Sequence, residues 1–93
     1  MSTATEHLYI VRDDQILHGE PIIKGTKTPV RAIAETWRMG IPVEQIQVRM
    51  PHLTMAQIFD ALGYFSDHPD EILEYIEKNR IPPEKLHPSV RNL

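Results

Sequence analysis

The spacing of the apolar residues changes at Pro29, and this change does most to limit what the chain can fold into. From there Val30, Ile33, Ala34 and Trp37 recur at i, i+3, i+4 and i+7 with Arg31, Glu35 and Arg38 opposite, the pattern of a one-sided helix. Pro29 suits its first turn and Gly40 its end. Upstream the pieces are shorter. His7 to Arg12 reads as a strand, Asp13-Asp14-Gln15 as a turn, and Ile16-Leu17 and Pro21-Ile22-Ile23 as brief apolar segments. Pro21 fits only a strand's first residue or an edge, and Gly25 supplies the positive φ of a tight turn.

Three further helices follow. Pro42 opens one from Val43 to about Arg49, with Val43 and Ile46 inward and no capping side chain at Ile41. Thr54 and Gln57 fit a capping box for the next, whose buried stripe is expected at Met55, Ile58, Leu62 and Phe65. The last begins around Asp67-His68-Pro69, with Asp67 read as a capping residue and Asp70 and Glu71 in the first turn, where acids favour the helix dipole. Ile72, Leu73 and Ile76 give it an apolar face, and Ile81-Pro82-Pro83 stops it. Residues 1–80 thus read as a single mainly α domain with N-terminal β elements, and 81–93 as an extended C-terminal tail.

The 93 residues suffice for one small domain and contain no cysteine, so no disulfide or thiolate metal site is available. The N-terminus lacks the pattern of a signal peptide, and no apolar run approaches the roughly 20 residues that cross a bilayer. A soluble cytoplasmic protein is the expectation. A net charge of −3 speaks against strong non-specific nucleic-acid binding. Between Lys24 and Arg49, however, five cations stand against two acids, while Asp67 to Glu77 holds five acids and no lysine or arginine. The basic stretch is either a weak DNA face or simply one of two solvated surfaces.

The run Gly19 to Val30, GEPIIKGTKTPV, resembles a phosphate loop only in composition. A P-loop needs lysine directly after its second glycine, and here the order is Gly25-Thr26-Lys27 and Pro29 removes an amide. A turn leading into the first helix is the better reading. The five histidines show no i, i+4 pair, and Ser66-Asp67-His68 are sequence neighbours, which do not make a triad. No enzyme, cofactor or metal is expected. What remains is a helix–turn–helix pattern from Val43 to Leu62, in which Thr54, Ala56, Gln57, Asp60 and Tyr64 are the outward positions of the second helix. The DNA-contact candidates are Lys24, Lys27, Arg31 and Arg49 for phosphates and Thr54 and Gln57 for bases, with Gln57's capping role competing for the same side chain.

Gly19 to Val30, Gly40, Val43-Glu44-Gln45-Ile46, Met50-Pro51-His52-Leu53-Thr54, Gln57-Ile58 and Ala61-Leu62 together resemble the domain-of-unknown-function family numbered 433, over about residues 8 to 78. Lys27 stands where that family usually has arginine, and Ile41-Pro42 where it often has a small polar cap. The resemblance implies a homeodomain-like or winged helix–turn–helix bundle of about four helices with an N-terminal β-hairpin. It further implies an antitoxin-like protein, similar to the VapB-type partners of PIN-type ribonuclease toxins. Such a protein is expected to be a homodimer that neutralises its toxin, with binding to operator DNA and repression of its own promoter as a second activity. Lys85, Leu86, Val90, Arg91 and Leu93 in the tail would then contact the toxin, unless the tail is a plain frayed terminus. The alternative is a protein-interaction module without DNA binding.

Overall fold

The computed structural model describes residues 2–80. The expected tail, with Lys85, Leu86, Val90, Arg91 and Leu93, lies outside them. The chain order is β1 (Ser2–Ala4), β2 (Ile10–Asp13), a 3-10 turn (Leu17–Gly19), β3 (Ile22–Ile23), then α1 (Val30–Arg38), α2 (Val43–Arg49), α3 (Met55–Asp67) and α4 (Pro69–Lys78). The strands form one antiparallel sheet in the order β1-β2-β3, with Thr3 opposite Arg12 and Ile10 opposite Ile23.

The expected hairpin is therefore a three-stranded sheet, and the expected strand is displaced. His7 to Tyr9 form a turn because Thr5 organises it: its hydroxyl accepts from the His7 amide and lies 2.7 Å from the Ile10 carbonyl. The turn at Asp13–Gln15 is as expected, with Asp13 Oδ1 accepting from the Gln15 amide at 2.9 Å. Leu17 and His18 are non-glycine residues in the left-handed region (φ 49° and 55°), a local strain held between β2 and β3. The turn after β3 uses Gly25 at φ 81°. Its groups are committed internally: the Thr26 amide donates to the Ile23 carbonyl and the Thr28 amide to Thr26 Oγ1. GEPIIKGTKTPV is thus a connecting device, finished by the Val30 amide donating to Pro21.

The helices begin and end at the expected punctuation. Pro29 and Pro42 are the N-caps of α1 and α2, and Gly40, at φ 88°, follows α1. Thr54 and Gln57 form a complete capping box: the Gln57 amide donates to Thr54 Oγ1 at 3.1 Å, and the Thr54 amide to Gln57 Oε1 at 2.8 Å. The core gathers Ile10 and Ile23 from the sheet, Val30, Ile33 and Ala34 from α1, Ile46 and Leu53, Ile58, Ala61 and Tyr64 from α3, and Ile72 and Ile76 from α4. Each buried isoleucine stabilises the fold by about 1.5–3 kcal/mol relative to exposure.

Several expected side-chain positions are revised. On α3 the buried residues are Ile58, Ala61 and Tyr64, while Met55, Leu62 and Phe65 are only half-buried. Tyr64, expected outward, is 1% exposed, and Trp37, expected inward, is 46% exposed. Leu73 lies at the border of α4's apolar face. Asp67 does not cap α4, whose N-cap is His68 with no side-chain cap bond; Asp67 turns instead to His7.

Candidate functional site

α3 carries more apolar side chains than its core face absorbs. Its sequence runs in apolar doublets every three residues, Ile58-Phe59, Ala61-Leu62 and Tyr64-Phe65, which makes a wide arc instead of a stripe. The first member of each doublet is buried, and the second lies toward a groove. That groove, about 410 Å³, is lined by Trp37 from α1, Val43 from α2 and Phe59, Leu62, Phe65 and Ser66 from α3. Trp37 and Phe65 meet edge-to-face at 6.5 Å, so the indole is held in place although half of it faces solvent. Phe59 is 57% exposed, and Met39, two residues beyond Trp37, is exposed as well. Rigid aromatic side chains around an apolar depression are what protein partners use as anchors. The doublet rhythm was the signal for this surface, and reading a single stripe hides it.

The DNA-contact candidates divide into three groups. Thr28 Oγ1 lies 2.7 Å from His52 Nε2, which fastens the turn carrying Lys24 and Lys27 to the turn between α2 and α3. Arg49 ends α2 on the near side of that second turn, and all three cations are exposed. Thr54 and Gln57 stand at the start of α3 but spend their oxygens on the capping box. Arg31 is elsewhere: it pairs with the buried Glu20, Nε to Oε1 at 2.6 Å. That pair is close but poorly aligned, so neither atom makes a well-formed hydrogen bond. Burial holds the Glu20 carboxyl above its usual range despite the charge of Arg31. Asp60 and Tyr64, expected outward, both face the N-terminal segment or the core.

A second polar cluster joins the N-terminal segment to α3. His7 Nδ1 lies 3.0 Å from Asp60 Oδ1, and its Nε2 lies 2.7 Å from Asp67 Oδ2. Asp60 Oδ2 accepts from the Tyr9 amide at 2.7 Å. His68 Nε2 contacts Glu6 Oε1, and the Tyr64 ring lies between the two imidazoles, 5.5 Å from His7 and 4.4 Å from His68. Burial disfavours a charged His7, but the bonds to Asp60 and Asp67 outweigh it and hold the ring above the usual histidine range. The bond from His68 holds Glu6 below the usual carboxylate range. Beneath this cluster Arg12 Nη2 donates to Tyr64 Oη at 2.6 Å and Glu71 Oε2 at 2.5 Å, and Tyr64 donates to Glu71 Oε1 at 2.7 Å. Burial and the bond to Glu71 push the Tyr64 phenol well up. None of these long-range pairs has a local sequence signal.

The class defined by this fold and site is a small, mostly helical domain on a three-stranded antiparallel sheet, with an aromatic groove on one face. The chain belongs to the family described as "Protein of unknown function (DUF433)", whose profile matches residues 10–65. Its fold is similar to the crystal structure, at 2.00 Å resolution, of a DUF433 member protein from Anabaena variabilis ATCC 29413. The TM-score is 0.69 at 23% identity, covering 74% of this chain and 68% of the other. No curated protein matches the chain at a significant level. Among the described residues no helix is long and apolar enough to cross a membrane.

Proposed function

We propose that this protein is a partner-binding domain of the antitoxin-like kind, and that the groove between α1 and α3 is where a PIN-type ribonuclease toxin docks. The observation that supports the docking surface is the solvent exposure of Trp37 and Phe59 around a 410 Å³ apolar groove. The choice of partner rests on the family resemblance of the motifs from Gly19 to Leu62. The tail residues Lys85, Leu86, Val90, Arg91 and Leu93 are further toxin contacts in this reading. Co-expression with the product of the adjacent gene tests it. The two proteins are expected to co-purify, and Trp37→Ala with Phe59→Ala to separate them. A wild-type protein that emerges alone overturns the toxin reading.

A second activity, binding of operator DNA through a winged helix–turn–helix, is favoured by one contact. The Thr28–His52 bond brings the turn of Lys24 and Lys27 to the end of the chain segment that includes Arg49 and opens α3. A dimer would present two such edges to a duplex. The edge is small, and α3 itself carries no lysine or arginine, so retardation of upstream DNA is expected only at low salt. Absence of any retardation, with or without the toxin, leaves a protein-interaction module.

A further inference from the structure

Two acid–histidine dipeptides far apart in the chain, Glu6-His7 and Asp67-His68, meet crosswise on the surface. His7 faces Asp67 at 2.7 Å and His68 faces Glu6. One ligand atom from each of Glu6, His7 and Asp67 lies within 4.8 Å of the other two. We infer that these three side chains form a binding site for a divalent transition-metal ion of the zinc type, with His68 as the adjacent nitrogen.

The position of His7 carries the argument. Its Nδ1 is directed at Asp60, and Asp60 is itself fixed by the Tyr9 amide, 2.7 Å from its second oxygen. Asp60 lies outside the ligand trio and fixes the ring through Nδ1, so that Nε2 is the nitrogen presented to Asp67 and to an ion. A carboxylate on the far nitrogen is how metal-ligating histidines are oriented and made more basic. The ring has little freedom to leave this position, since it lies against Tyr64 and directly over Gly63, where a β-carbon would come within 3.3 Å of Cε1. The two carboxylates are the adjustable part: Asp67 and Glu6 side chains are 59% and 56% exposed. Ligands around tetrahedral zinc sit about 3.4 Å apart, so modest carboxylate rotations close the trio on an ion at about 2.0–2.2 Å. A mixed imidazole and carboxylate set suits zinc, cobalt, nickel or manganese and disfavours copper(I), which prefers sulfur.

Charge points the same way. Glu6 and Asp67 bring two carboxylates to the Nε2 side of His7, and both are largely exposed and free to turn toward an ion. An ion at Nε2 sets two positive charges between Glu6 and Asp67. Because the ligands come from the N-terminal segment and from the α3–α4 junction, the ion would staple the first strand to the helices.

The test uses the full-length chain freed of metal with EDTA and then titrated with zinc chloride. Calorimetry is expected to give one ion per chain, with a rise in Tm of about 5 °C or more at saturating zinc. In proton spectra the His7 and His68 ring signals shift while those of His18 and His52 stay. The exposed carboxylates allow variants that keep the fold: Asp67→Asn and Glu6→Gln each reduce affinity at least tenfold, and His18→Ala leaves it unchanged. Zinc that produces no heat and no Tm rise overturns the site, as does binding that survives the Glu6→Gln, Asp67→Asn double variant. Either result makes the four side chains an ion-pair clasp only.

Discussion

His7 lies so close above Gly63 that a β-carbon at position 63 would stand 3.3 Å from the ring's Cε1 and 3.6 Å from Nδ1. Position 63 is in the middle of α3, where glycine costs about 1 kcal/mol relative to alanine. Alanine is thus favoured by the helix and opposed by the ring, which Asp60, Asp67 and Tyr64 hold in place. Gly63→Ala in the otherwise unchanged protein is expected to gain nothing or to lose up to about 1 kcal/mol. In a His7→Ala background the same substitution should stabilise by about 1 kcal/mol. A double-mutant cycle by urea denaturation measures the coupling, and additive effects would show that the ring yields freely.

The groove separates binding from stability. Phe59 is 57% exposed and sits on a helix where lysine is well tolerated. Phe59→Lys is expected to leave stability within about 0.5 kcal/mol of wild type. It should nonetheless weaken capture of the toxin proposed to dock there at least tenfold, because a charge would be driven into the apolar depression. Thermal melts and pull-downs on the same preparations check both halves.

How much of this was legible depends on how local the signal was. Pro29, Gly40, Pro42 and the Thr54–Gln57 box mark helix ends through their own backbone chemistry, and each marks the boundary where expected. The buried stripe of α3 differs from the expected one because apolar doublets fit two registers, and packing against α1 and β2 selects the one that buries Tyr64. The same choice left Trp37 and Phe59 outside and so created the groove. β1 carries no sequence signal, since Ser2-Thr3-Ala4 has no apolar alternation and is exposed throughout. The His7–Asp67 pairing spans 60 residues and exists only once the sheet and α3 have met.

Glu20 is a charged residue at 4% exposure, and burial holds its carboxyl above the ordinary 4.5, with the charge of Arg31 opposing. The folded chain therefore keeps this proton to a higher pH than the unfolded chain does. Stability from the group is fully present below about pH 4.5 and is lost as pH rises through the folded value. Glu20→Gln has no such loss, so the stability difference should move in the variant's favour as pH rises above about 4.5. Urea unfolding across that range is the measurement. A variant that falls further behind with rising pH would mean that the Arg31 pair outweighs the burial.

The start of α3 serves the helix before anything else, and substitutions at Thr54 can separate that duty from nucleic-acid contact. Its hydroxyl accepts the Gln57 amide, so Thr54→Ala should cost about 1 kcal/mol. Gln57→Ala should cost less, since the Thr54 amide that it releases is exposed and can take water instead. Thr54→Asp keeps the cap and adds a charge that the helix N-terminus favours, so stability should hold or rise by about 0.5 kcal/mol. The same aspartate would face any phosphate held by Lys24, Lys27 or Arg49, and retardation of upstream DNA at low salt should fall several-fold. Thermal melts beside gel shifts on the three variants distinguish the outcomes. If Thr54→Asp lowers neither stability nor DNA binding, the edge formed by the Thr28–His52 contact is not a nucleic-acid surface.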